Sequence, residues 1–139
     1  MEYRMNTSKI IQYPKAYPDI GVRILQKCEE EIVSIVERSG KYTNLVADFD
    51  SRIQLLSQAR ENANVKYPQW FENLRHVKEL YSIHIASVNN MRILYAFVDL
   101  DILLLCAFEE LEGRGKRTKS YSQYIPVAQK RLREYEEEE

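Results

Sequence analysis

His84 and Arg92 are the residues of this chain best suited to chemistry on a phosphodiester. An imidazole titrates near neutral pH and can take a proton from a ribose 2′-hydroxyl. A guanidinium can hold a phosphate through two parallel hydrogen bonds and stabilise its developing charge. Both residues lie in alternating segments: Tyr81, Ile83 and Ile85 are interleaved by Ser82, His84 and Ala86, and a second such segment runs from Met91 to Val98. Register decides whether they meet. A two-residue turn at Asn89-Asn90 would pair Ile83 with Ala96 and Ile85 with Leu94. A three-residue loop, Val88-Asn89-Asn90, pairs Ile85 with Ile93, Ile83 with Tyr95 and Tyr81 with Phe97, and so collects the large apolar groups on one face. The other face then carries Ser82, His84, Ala86, Arg92, Leu94 and Ala96, with His84 and Arg92 as diagonal neighbours about 7–8 Å apart. A solvated polar pair on a sheet face is the plainer reading of the same two residues.

Charge adds a second feature. The net charge is −1, but Glu136 to Glu139 supply four negative charges, and without them it becomes +3. From Arg114 to Arg133 the chain holds Arg114, Lys116, Arg117, Lys119, Lys130, Arg131 and Arg133 with no acidic residue. Such a stretch can track a phosphate backbone, or it can be a solvated helix face beside a loop. Cys28 and Cys106 sit in apolar patterns with neither CxxC spacing nor a nearby His, so they read as reduced core residues and no metal site is expected. The longest apolar run, Ile102 to Phe108, is too short to cross a bilayer, and Met1-Glu2-Tyr3-Arg4 lacks the apolar block of a secretory signal, so a cytoplasmic protein with no membrane partner is expected.

The elements that must position these residues follow from periodicity. With 139 residues and 45% hydrophobic content, one domain over 1–139 with one core is the expectation. Residues 1–17 read as an edge strand or arm, and 136–139 as a frayed acidic tail. From Pro18-Asp19, Val22, Leu25, Cys28, Ile32 and Ile35 step by three and four, predicting an amphipathic helix stopped at Ser39-Gly40. A second helix is predicted on Val46, Phe49, Ile53 and Leu56, starting near Asn44 or Asp48. Val65 to Asn73, with Pro68, ends regular structure, and Trp70 and Phe71 read as core. Strands then follow from Val77, from Met91 to Val98, and, after the turn Asp99-Leu100-Asp101, over Ile102 to Phe108, the last buried on both faces. A helix from about Ser120 closes the chain. The fold class is therefore α+β: an N-terminal helical hairpin packed on a small antiparallel β-meander, with a C-terminal helix.

The strand segments Leu80 to Ile85, Met91-Arg92-Ile93-Leu94-Tyr95-Ala96-Phe97 and Ile102 to Phe108 resemble the central sheet of the RelE/ParE toxins, especially their HigB-like, phage-derived group. Tyr124 to Arg131 is similar to that group's closing helix, and the Phe49-to-Leu56 helix fits the hairpin that precedes its sheet. The likeness covers about Asp48 to Tyr135. It implies the toxin of a type II toxin–antitoxin pair: a ribosome-dependent, metal-independent mRNA endoribonuclease without a cofactor, inhibited by a co-expressed antitoxin of helix-turn-helix type. By the resemblance, Arg92 matches the arginine at the scissile phosphate, and His84 a position that is lysine, arginine or histidine. Arg117 resembles a second phosphate-stabilising arginine, and Tyr124 the tyrosine that stacks on or orients the nucleotide. Arg114, Lys116, Lys119, Lys130 and Arg131 would bind the RNA backbone. Glu109-Glu110 depart from the pattern, standing where that group commonly has two lysines. Either Arg114, Lys116, Arg117 and Lys119 take over the positive role, or the chain is a non-catalytic toxin-like protein acting through antitoxin binding, the alternative that these two glutamates support best. A gyrase-directed toxin of the ParE branch is a third reading, against which the presence of both His84 and Arg92 counts.

Overall fold

The computed structural model describes residues 21–74, 77, 79–110 and 116–138, with the backbone alone at 116–118. Residues 1–17, read above as a strand or arm, lie outside the described residues, as does Arg114. The element order is β1 (Val22–Ile24), α1 (Gln26–Ser39), α2 (Tyr42–Ala59), a short helical extension ending in α3 (Ala63–Lys66), β2 (Phe71–Asn73), β3 (Tyr81–Ile85), β4 (Met91–Val98), β5 (Asp101–Glu109) and α4 (Lys116–Glu138). The architecture is α+β, with a helical hairpin, a meander and a closing helix in that order. Among the described residues, five strands form one sheet in the order β1-β5-β4-β3-β2.

The first predicted helix starts too early. Val22 and Ile24 are buried, and they belong to β1, which runs parallel to β5 with Val22 opposite Ile102 and Ile24 opposite Leu104. Val22 lies two residues before Ile24, as in a strand, and three before Leu25, as in a helix, so it fits both templates, and the β5 partner decides between them. α1 then buries Cys28, Ile32, Ile35 and Val36 and ends at Gly40, whose φ of 70° is the left-handed cap expected there. α2 begins at Tyr42, earlier than Asn44 or Asp48, and buries Leu45, Phe49, Ile53 and Leu56. β2 lies inside the stretch read as irregular, where pairing with β3 overrides the weak strand pattern around Phe71.

The β3–β4 register also differs from the expectation. Ile85 pairs with Met91, Ile83 with Ile93 and Tyr81 with Tyr95. The connecting loop is therefore Ala86 to Asn90, because Val88 is fully buried and acts as a core residue, while Asn89 and Asn90 take left-handed φ values of 51° and 54°. A shift of two residues keeps every side chain on its predicted face. His84 and Arg92 are consequently direct partners across the ladder, not diagonal ones.

β5 is apolar and buried from Ile102 to Phe108. Leu94 pairs with Cys106 but Tyr95 with Leu104, leaving Leu105 as the extra residue of a bulge. β1 stops short of it, so two helices satisfy this edge. The Leu105 carbonyl accepts from Arg131 Nη1 of α4 at 2.8 Å, and the Ala107 N–H donates to Glu31 Oε1 of α1 at 3.0 Å. Arg131 Nη2 donates to Glu31 Oε2 at 2.8 Å, which ties the helices together over the edge.

Candidate functional site

The sheet register builds the site in two adjacent rows on the face that α4 partly covers. One row is Glu72, Ser82, Leu94 and Cys106; the next is His84, Arg92 and Phe108. Tyr121 of α4 comes down on this face. Its hydroxyl lies 3.1 Å from Ser82 Oγ and donates to Glu72 Oε1 at 3.4 Å. At the β2 end the face opens into a cleft of about 430 Å³, lined by His84 and Arg92 together with Asn64, Gln69, Trp70 and Glu72. The two residues singled out from the sequence thus share one cleft.

Arg92 is almost buried, its side chain only 10% exposed. Its Nε donates to Glu110 Oε1 at 2.7 Å, its Nη1 lies 3.9 Å from Glu72 Oε1, and its Cζ is 6.0 Å from the Tyr121 ring centre. Glu110 is as deeply buried as its partner, so each charge offsets the cost of burying the other. His84 has its ring Nε2 2.5 Å from Asn90 Oδ1, and its backbone N–H donates to the Trp70 carbonyl at 2.8 Å. Arg52 of α2 braces this region: its Nε donates to the His84 carbonyl at 3.3 Å, and its guanidinium sits 4.2 Å over the Trp70 ring. Burial lowers the Arg52 pKa from its ordinary value, against the opposing charge of Asp48.

The Glu109-Glu110 departure has a structural counterpart in the same loop. Glu109 accepts from Asn89 Nδ2 at 2.7 Å and from Arg38 Nη2 at 2.9 Å, and Glu110 donates its N–H to the Asn90 carbonyl at 3.1 Å. Partial burial pushes the Glu109 pKa up, but the Asn89 and Arg38 hydrogen bonds outweigh it and hold the carboxyl below its usual range. Two successive asparagines of the loop are thus latched to two successive glutamates at the end of β5.

The other sequence-derived candidates are spread out. Tyr124 does not line the His84–Arg92 cleft. It stacks flat on Phe108 with ring centres 4.5 Å apart and lines a separate cleft of about 320 Å³ with Ser34 and Arg38 of α1. Tyr121 is the tyrosine that reaches Arg92. Arg131, read from the sequence as an RNA-backbone contact, has its guanidinium engaged within the fold by Glu31 and the Leu105 carbonyl. Burial pulls the Arg131 pKa down, but the hydrogen bond and charge of Glu31 prevail and raise it. Lys119 and Lys130 are exposed on α4, while Lys116 and Arg117 open that helix instead of a loop. Phe71 is core as expected, but Trp70 is half-buried and lines the cleft.

Sequence reasoning missed Glu72, Glu110 as a partner of Arg92, and Arg52. Glu72 offered one signal, an acidic residue beside the aromatic pair Trp70-Phe71. Only the β2–β3 pairing brings it to the row below His84. Compared with protein-family models, curated proteins and solved structures, the chain matches none. Among the described residues no group of His, Cys, Asp and Glu is arranged to hold a metal ion, and no helix is long and apolar enough to cross a membrane.

Proposed function

We propose that the chain is an endoribonuclease toxin of a type II toxin–antitoxin pair, with its centre in the cleft between β2 and β4. The observation that carries this reading is the direct pairing of His84 with Arg92 beside Glu72, whose carboxylate lies 3.9 Å from the same guanidinium. Cleavage by a ribose 2′-hydroxyl needs a base for that hydroxyl, an acid for the 5′ oxygen that leaves, and a cation for the phosphate. In this scheme the Glu72 carboxylate takes the 2′-hydroxyl proton, and a protonated His84 supplies the proton to the leaving oxygen. Arg92 stabilises the charge that builds on the non-bridging oxygens. The 2′ oxygen bonds to phosphorus as the bond to the 5′ oxygen breaks, leaving a 2′,3′-cyclic phosphate and a free 5′-hydroxyl. In the alternative assignment His84 takes the 2′-hydroxyl proton, the role its chemistry first suggests, and a solvent water supplies the proton to the 5′ oxygen. The order of hairpin, meander and closing helix agrees with the fold the resemblance implies, and translated mRNA and an antitoxin are the partners that follow from this reading.

A specific observation favours a second reading, an antitoxin-binding protein without catalysis. Arg92 already carries Glu110 at 2.7 Å and has Glu72 nearby, so a phosphate must compete with carboxylates for it. Induction in a bacterial host separates the two. The wild type is expected to arrest growth and leave new mRNA ends, while His84→Ala and Arg92→Gln, each verified as folded by circular dichroism, do neither. A soluble wild type that leaves growth and mRNA intact rejects the ribonuclease and promotes the binding protein.

A further inference from the structure

We infer that Asn90 and Glu110 are coupled positioning residues, Asn90 fixing the ring of His84 and Glu110 fixing the guanidinium of Arg92. The inference deepens the ribonuclease reading and rests on it for its kinetic consequence alone. A long arginine on a sheet face has many rotamers, and ordering it costs entropy that must be met before a phosphate arrives. Glu110 supplies that order in advance: the pair is 10% and 7% exposed, and the bond to Nε leaves the Nη1 end on the cleft side near Glu72. An amide oxygen only accepts, so the contact between Asn90 Oδ1 and His84 Nε2 requires hydrogen on Nε2. The two positioning residues also hold each other, since the Glu110 N–H donates to the Asn90 carbonyl at 3.1 Å. Asn90 has the φ of 54° that asparagine tolerates well, and the neighbouring Asn89–Glu109 bond anchors the same loop to the same strand end. Moving either residue therefore moves both functional side chains.

Among the described residues, the charges facing His84 include Arg92 opposite it on β4, Glu72 from β2 and Glu110 behind Arg92; Tyr121 comes from α4, and Arg52 from α2 meets its carbonyl. The test uses the full chain and two independent readouts. Imidazole nitrogen resonances, assigned with a His76→Gln variant, report the His84 tautomer and titration. Wild type should show hydrogen on Nε2 in the neutral ring, Asn90→Gly a mixture of tautomers, and Asn90→Asp a midpoint raised by about one unit or more as a carboxylate replaces the amide. Cleavage of ribosome-bound synthetic mRNA is the second readout. Glu110→Ala should lower kcat about 100-fold with KM little changed, Glu110→Gln should restore most of the loss by keeping the acceptor, and Asn90→Gly/Glu110→Ala should be no worse than the weaker single variant. Unchanged ring-nitrogen resonances in both Asn90 variants overturn the inference, as do equal rates for Glu110→Ala and wild type. A wild type that cuts nothing while its ring tautomer follows Asn90 rejects the ribonuclease reading and leaves the positioning of His84 standing.

Discussion

Arg92 shows how far a residue's role depends on its neighbours. In the alternating string Met91-Arg92-Ile93 it is one cation on a polar face; in the folded protein it is a buried cation whose Nε is taken by Glu110. Removing one partner strands the other charge in a poorly solvated site, whereas removing both does not. Arg92→Ala should therefore destabilise the protein by about 3–5 kcal/mol. The double variant Arg92→Met/Glu110→Leu should recover most of that loss, as read from urea unfolding midpoints with unchanged slopes. A single variant as stable as wild type would mean that the pair is solvated after all. The same pair explains why Glu109-Glu110 could be recognised from the sequence as anomalous but not understood there: their partners Arg38, Asn89, Asn90 and Arg92 come from three other elements.

At the scale of elements, the end of β5 pairs with β4 on one side and, among the described residues, has no strand on the other, where its backbone groups are met by Glu31 and Arg131 from two helices. Arg131 combines a bidentate ion pair with a carbonyl contact at the bulge, and its side chain is 15% exposed. Arg131→Ala should cost about 2–4 kcal/mol, from the lost charge-assisted bonds and the unpaired Leu105 carbonyl. Arg131→Lys should recover less than half, because an ammonium cannot reproduce the planar fork. Thermal unfolding of the two variants measures both effects, and an Arg131→Ala protein melting with wild type would return Arg131 to the solvent-facing role its basic neighbourhood suggested. β1 belongs to the same edge. Its three residues carry little strand signal, and a parallel partner eighty positions along the chain supplies the hydrogen bonds that fix them.

Across the whole molecule, one core joins the hairpin, the sheet and the closing helix, and both cysteines lie in it. Burial pushes the Cys106 thiol up to about 12 and the Cys28 thiol well above its ordinary value, with the charge of Glu31 adding to both. Neither thiol ionises near neutral pH in the native state. A soluble aromatic disulfide reagent at pH 8 should label neither cysteine in the native protein and both in urea, with labelling tracking global unfolding. Because the folded thiols ionise later than the unfolded ones, their contribution to stability is complete below about pH 8.5 and is lost as pH rises toward 12. Rapid native labelling would show that the core around α1 and β5 opens locally.

Much of this was legible because it is local. The hairpin, the three long strands and the closing helix follow from period and apolar content, and Gly40 marks its cap by type alone. The face carrying His84 and Arg92 was also legible, since alternation survives a register error of two. What the tertiary structure decided are the partners: that Val88 enters the core and lengthens the loop, that Glu72 joins the row beside His84, that Tyr121 and not Tyr124 reaches Arg92, and that Glu110 offsets the charge of Arg92. Each of these joins residues brought together by strand pairing or by the packing of α4. A side chain's neighbours along the chain constrain its conformation, but only its neighbours in space set its charge balance and reach.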